Sequence, residues 1–162
     1  MSPSAELLVD ATLLLGELEV SAAFSVGRGE LVAIAGGVGA GKSSVLRLVT
    51  GVTRADRGIV QFQNEIWDCT DSGAFVPPEQ RSVALVPQDF RSMFDPEECP
   101  RAALMRLRPA HEATALLHAL ALGDHVIDRA VRTLSNGEAQ RAAIAYALAQ
   151  RPDILLLDEP FV

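Results

Sequence analysis

Glycines crowd one short stretch of this chain, GGVGAGKSS at residues 36–44, and what flanks them leaves few folds open. Before it runs the apolar segment Leu31–Ala35, with the content of a strand, and after it Ser43–Thr50 has the spacing of a helix. The stretch fits the pattern G-x-x-x-x-G-K-[ST] at Gly36, Gly41, Lys42 and Ser43, and strand, loop and helix is the setting that pattern requires. Glycine lets consecutive backbone N–H groups curl around an anion with no Cβ in the way, and a helix start adds partial positive charge. Gly36, Gly37, Gly39, Ala40, Gly41, Lys42, Ser43 and Ser44 are therefore the candidate cradle for a polyphosphate.

Lys42 is the single lysine among 14 basic side chains, so it answers a local need rather than a general use of lysine as surface charge. A compact ammonium reaches β- and γ-phosphates under such a loop, where the planar fork of arginine is too bulky. A glycine-rich turn with a chance lysine is the plain alternative. Four specified positions matched in 162 residues have a chance likelihood below about 1% at ordinary residue frequencies.

A phosphate loop needs an acidic partner for its metal, and DILLLDEP supplies one. Residues 154–157 are apolar at every position, as expected of a central strand covered on both faces, and Asp158 ends it, where ligands bind in open α/β sheets. Ser43 and Asp158 are the candidate Mg²⁺ holders, and Glu159 is the candidate general base. Alone, an acidic pair before a proline reads as a strand end that has reached solvent; with Lys42 upstream the metal reading gains.

Strand-like segments LEVSAAF, ELVAIAG, IVQFQ, SVALVPQ and DILLLDEP alternate with helical ones, which predicts an α/β domain with a mostly parallel sheet. The chain up to about Val26 and again from Ile59 to Trp67 reads as a smaller antiparallel region, and Pro100–Ala121 as helix broken at Pro109. The net charge of −7, with scattered arginines, argues against affinity for a nucleic-acid backbone. No apolar run reaches the roughly 18 residues of a spanning helix, and no positive segment precedes Arg28, so the chain reads as cytosolic, without direct membrane insertion. Cys69 and Cys99 read as free thiols, and His111, His118 and His125 as solvated or capping side chains rather than a shared metal site.

The run TLSNGEAQRAAIAYALAQRPDILLLDEP closely resembles the signature motif, its helix and the acidic strand of ATP-binding-cassette (ABC) ATPases, usually worded LSGGQ or LSGGE. A well-capped helix would explain Ser135 and Glu138 by themselves, as a capping box, and leave the remainder unexplained. Gln88, in VALVPQDF, matches the family's glutamine between phosphate loop and signature, and VPPEQRSVALVPQDF looks like importer cassettes of the molybdate class. Phe24 and Trp67 are the aromatics available to an adenine, with ordinary packing the better reading of both.

The resemblance implies a phosphate-loop NTPase core with a small antiparallel β subdomain and an inserted helical subdomain. Residues 1–30 and 59–75 would form the antiparallel region, 31–58, 82–90 and 141–162 the nucleotide core, and 91–140 the helical part. It implies ATP and Mg²⁺ as ligands, with Gln88 sensing the metal beside Ser43 and Asp158. Ser135 and Gly137 would contact a nucleotide held by a second cassette, in a homodimer or heterodimer. Asn136 stands where the family has glycine. A transmembrane permease would be the other partner, holding the subunit on the inner face of the plasma membrane.

The resemblance also implies that the cassette is incomplete after its acidic strand: the bridging loop and switch histidine of the family have no counterpart up to Val162. Residues 1–162 alone are expected to bind Mg-ATP weakly and to hydrolyse it slowly or not at all. A soluble ABC-type ATPase acting on DNA or ribosomes, or a non-hydrolysing nucleotide-binding fragment, are the competing readings. The short span from Gln88 to Leu134 carries no heptad run, which favours the transporter.

Overall fold

The structure, a computed structural model, describes residues 6–160. They fall into two compact units, one running to Arg81 and one from Ser82 onward.

In the first unit β1 (Leu7–Leu15) and β2 (Leu18–Val26) form a hairpin over the two-residue turn Gly16–Glu17, pairing Leu15 with Leu18. β3 (Arg57–Phe62) lies on the other side of β1, and β4 (Glu65–Cys69) follows it, giving the antiparallel order β2-β1-β3-β4. Alternation sets the register: Leu7, Val9, Ala11 and Leu13 are buried, whereas Leu8, Asp10 and Leu14 face outward. The connection from β2 to β3 carries the glycine stretch and α1 (Lys42–Thr50).

α1 buries Val45, Leu48 and Val49, each worth about 1.5–3 kcal/mol of apolar burial. At nine residues it is too short to persist on propensity alone. Its far end is fastened by Arg81, which is only 5% exposed. The Arg81 guanidinium donates to the carbonyls of Leu48 and Val49 at 2.9 Å each, of Trp67 at 2.9 Å and of Val76 at 2.8 Å. It also lies over the Trp67 and Phe75 rings. Gly51 ends α1 with φ 81°, and a Cβ there would sit 2.7 Å from Arg81 Nε, so both its dihedral and the arginine require glycine. Burial pulls the Arg81 pKa down and nearby Asp68 pulls it back up. Asp68 itself is fully buried and accepts from the Ala55 amide at 2.8 Å.

In the second unit β5 (Val83–Val86) pairs in parallel with β6 (Ile154–Leu157), Val83 opposite Ile154 and Val86 opposite Leu157. Between them come a 3-10 turn at Phe90–Met93, then α2 (Pro100–Met105), α3 (Ala110–Ala119), α4 (Asp124–Ile127) and α5 (Asn136–Ala149). Pro109 separates α2 from α3, as the sequence predicts. Ala139, Ala142, Ala143, Ala145, Ala147 and Ala149 of α5 are buried, and these small side chains let α2, α3 and β5 pack closely around one helix. Phe94 meets Tyr146 edge-on, with ring centroids 5.5 Å apart.

Two strand expectations, Leu31–Ala35 itself and the cover of residues 154–157 on both faces, need correction. Leu31–Ala35 is not a strand: no strand is present at residues 27–41, and residues 31–40 are all exposed, Leu31 by 88%. A strand exists through its ladder, and this segment pairs with none of the described strands, so apolar and β-branched content does not suffice. The described residues also hold four antiparallel strands and two parallel ones, so they do not show a mostly parallel sheet. β6 correspondingly pairs on one side only and is half-buried rather than covered on both faces.

Both cysteines are free. His118 lies in the last turn of α3 and meets Asp124 at 3.1 Å, while His125 sits on α4. Among the described residues no group of metal-ligating side chains comes together, and no helix is long and apolar enough to cross a membrane.

Candidate functional site

The first unit holds the glycine loop and the start of α1. Gly39 and Gly41 are left-handed, at φ 78° and φ 86°, and Gly41 is the N-cap of α1. A Cβ on Gly41 would lie 2.6 Å from Val20 Cγ2, so the hairpin side chain and the dihedral both exclude other residues. Lys42 opens the helix and donates from Nζ to the carbonyls of Gly36 and Gly37, both at 3.0 Å. The lysine thus folds back over its own loop.

α1 begins with no side-chain cap and no acidic residue in its first turn. The first amides of a helix have no intrahelical acceptor, so such a start offers donors and partial positive charge to an anion. The residues present fit a polyphosphate. Ser43 and Ser44 follow Lys42 in that first turn, half-buried.

The second unit brings Gln88 and Asp158 to one end of the parallel pair. β5 and β6 run in the same direction; Gln88 follows β5 by two residues and Asp158 follows β6 directly. The Asp158 amide extends the ladder by donating to the Val86 carbonyl at 2.9 Å. Gln88 is exposed, and Asp158 and Glu159 are half-buried. The side-chain oxygens of Ser43, Gln88 and Asp158 are hard donors of the kind Mg²⁺ takes. Glu159 has φ 50°, a left-handed conformation costly for a side-chain-bearing residue, and the peptide beyond it is held by Gln140, whose Nε2 donates to the Pro160 carbonyl at 2.7 Å.

α5 begins with a complete capping box. Ser135 Oγ accepts from the Glu138 amide at 3.3 Å, and Glu138 Oε2 accepts from the Ser135 amide at 2.8 Å. These bonds to the Ser135 backbone and hydroxyl hold the Glu138 carboxyl below the usual carboxylate range. The box leaves the amides of Asn136 and Gly137 outside its two bonds. Arg91, in the turn after Gln88, donates to the carbonyls of Val131 and Leu134, each at 2.8 Å, and to Asn136 Oδ1 at 3.1 Å.

Residues 21–162 match the sequence profile of the family described as ABC transporter. The chain belongs to that family.

This ABC chain is 37% identical over 147 residues to the molybdenum import ATP-binding protein ModC of Mycobacterium tuberculosis, covering 85% of this chain and 40% of ModC. It is 38% identical over 151 residues to the molybdate/tungstate import ATP-binding protein WtpC of Thermococcus kodakarensis, covering 85% of this chain and 42% of WtpC. The chain therefore spans about two fifths of the length of these relatives. Its fold is that of a nucleotide-free ATP-binding cassette from an ABC transporter, with a TM-score of 0.75 at 22% identity over 98% of this chain and 70% of that one. The ADP conformation of another ABC transporter cassette superposes equally well, with a TM-score of 0.75 at 21% identity, covering 98% and 70%.

Sequence reasoning passed over three residues that this ABC chain uses to build its loops: Arg81, Arg91 and Gln140. Each donates to main-chain carbonyls distant in sequence. Carbonyl acceptors carry no residue identity, so the pattern of side chains gives no sign of them. Trp67, 1% exposed and tilted against Phe62 with centroids 4.9 Å apart, is a packing residue, as expected.

Proposed function

We propose that this chain is the nucleotide-binding part of an ATP-hydrolysing subunit of an ABC transporter, driving a membrane permease that imports an oxyanion of the molybdate and tungstate class. The observation that carries the reading is the start of α1: a left-handed glycine N-cap without a side-chain cap, followed at once by the only lysine in the chain. The relatives named for molybdate and tungstate import support the cargo class.

The amides from Gly36 to Ser44 and the Lys42 ammonium bind the β- and γ-phosphates of ATP. Ser43, Gln88 and Asp158 are the residues that would hold Mg²⁺, which would supply charge neutralisation to the phosphates. Glu159 takes the proton of the attacking water, its orientation set by the left-handed turn that Gln140 anchors. Ser135 and Gly137 offer the α5 start to the γ-phosphate of a nucleotide bound to a second cassette, so that ATP favours the closed pair.

In the whole protein the core sheet is mostly parallel, with β5 and β6 among its strands. Residues 1–30 and 59–75 form the antiparallel region, 31–58, 82–90 and 141–162 the core, and 91–140 the helical part, with 1–5 and 161–162 lying outside the described residues. The subunit sits at the inner face of the plasma membrane through its permease. A soluble ABC-type ATPase is not favoured, since the relatives are import proteins.

The test is Glu159→Gln in the full-length protein. Fluorescent ATP should bind as tightly as to the unaltered protein while phosphate release falls at least about a hundredfold, as loss of a general base predicts. Unchanged turnover would remove Glu159 from the mechanism, and an unaltered protein that binds no ATP would remove the reading altogether.

A further inference from the structure

Asn136 occupies the first position of α5, next to the amides on which the signature's contact with a second nucleotide would depend. An asparagine there carries a hazard. Its side-chain oxygen can accept from backbone N–H groups nearby in the chain, and turned back onto the helix start it would compete for the donors that a phosphate needs. The structure shows that oxygen taken elsewhere, by Arg91 Nη2 at 3.1 Å.

The same nitrogen donates to the Leu134 carbonyl at 2.8 Å, and Nη1 donates to the Val131 carbonyl at 2.8 Å. Two carbonyls of the turn leading into α5 and the Asn136 oxygen at its first position therefore fix one rigid, half-buried guanidinium. The capping box meanwhile uses Ser135 Oγ and Glu138, leaving Asn136 and Gly137 outside it.

We propose that Arg91 is a positioning residue for the signature: it holds the Asn136 side chain off the α5 amides and keeps them open to the γ-phosphate of a nucleotide carried by a second copy of the cassette. The inference rests on the transporter reading above and names a residue pair that makes that contact possible in this chain. Arg91 acts on the signature through the Asn136 side chain, and its bonds to the Val131 and Leu134 carbonyls hold the guanidinium in place for that contact.

A double-mutant cycle in the full-length protein tests it, reading the ATP concentration that half-saturates association of two cassettes by light scattering. Arg91→Gln should raise that concentration about tenfold, as loss of one charged, geometrically fixed donor predicts. Asn136→Gly alone should change it less than about twofold, and the double variant should return to within about threefold of the unaltered protein. Hydrogen exchange of residues 134–138 in the nucleotide-free protein gives a second readout: Arg91→Gln should alter it with Asn136 present and much less with Gly there. Should Arg91→Gln not fold, Arg91→Lys, which keeps the charge and loses the fork, replaces it in both measurements.

A double variant as impaired as the arginine variant alone would overturn the inference, because the arginine would then act only as a brace for the carbonyls. So would an arginine variant that associates normally. An unaltered protein that shows no ATP-driven association would instead overturn the transporter reading, and this inference with it.

Discussion

The helices that begin at Lys42 and at Asn136 solve the same problem in opposite ways. α5 satisfies its first donors from within, through the reciprocal bonds of Ser135 and Glu138. α1 leaves its start without a side-chain cap, on a left-handed glycine, and takes its anchorage at the other end, where Arg81 gathers the carbonyls of Leu48 and Val49. A helix start left open to an anion forgoes the bonds that would anchor it there, and α1 is anchored at its other end. In α5 the two duties share one turn, with only Asn136 and Gly137 left outside the box and Arg91 restraining the asparagine.

The contrast breaks most severely if Arg81 is replaced. Arg81→Met should cost about 3–4 kcal/mol of stability in the full-length protein, since four carbonyls, three of them in buried bonds, lose their donor, and denaturant unfolding would measure it. A loss under about 1 kcal/mol would mean that α1 is held by packing alone. Lys42→Ala should weaken nucleotide binding about a hundredfold while moving Tm by less than about 2 °C, because its bonds to Gly36 and Gly37 are exposed. A matching fall in Tm would show the lysine to be a structural strut.

Gly41→Ala comes next. It places a Cβ at φ 86° against Val20, which should destabilise by about 2 kcal/mol and weaken binding along with it, seen by unfolding and nucleotide titration together. Ser135→Ala should cost about 1 kcal/mol, the ordinary worth of an N-cap, with nucleotide affinity of the α1 loop unchanged.

The smallest effect is one of pH. The Glu138 carboxyl is held below its usual range by Ser135, so the box contributes fully above the unfolded carboxylate value and is lost as pH falls through the lower, folded value. Glu138→Gln should remove that part of the acid dependence and leave the neutral-pH profile flat. An unaltered acid limb in stability would show the box to be unimportant to α5.

What the sequence made legible followed from local rules. GGVGAGKSS, the Ser135–Glu138 box, the break at Pro109 and the acid after ILLL all sit where residue type dictates backbone behaviour within a few positions. The alternation of Leu7, Val9, Ala11 and Leu13 likewise set which face of β1 is buried. Leu31–Ala35 misled because strand content is only permission to pair, and pairing depends on a neighbour that local spacing does not name. Arg81, Arg91 and Gln140 escaped notice for the same reason, since each reaches main-chain oxygens across the fold. For the candidate site, order along the chain singles out the loop, Gln88 and Asp158 as candidates, while the contacts that hold those segments in shape came only from three dimensions.

Arg81 also has a consequence for synthesis. A helix as short as α1 does not persist without tertiary support, and part of that support is a guanidinium encoded well after it. During translation α1 is therefore made early and anchored late, after the strand bearing Trp67 and then the arginine emerge from the ribosome. Nascent chains stalled just before and just after that arginine is exposed should differ sharply in their resistance to protease.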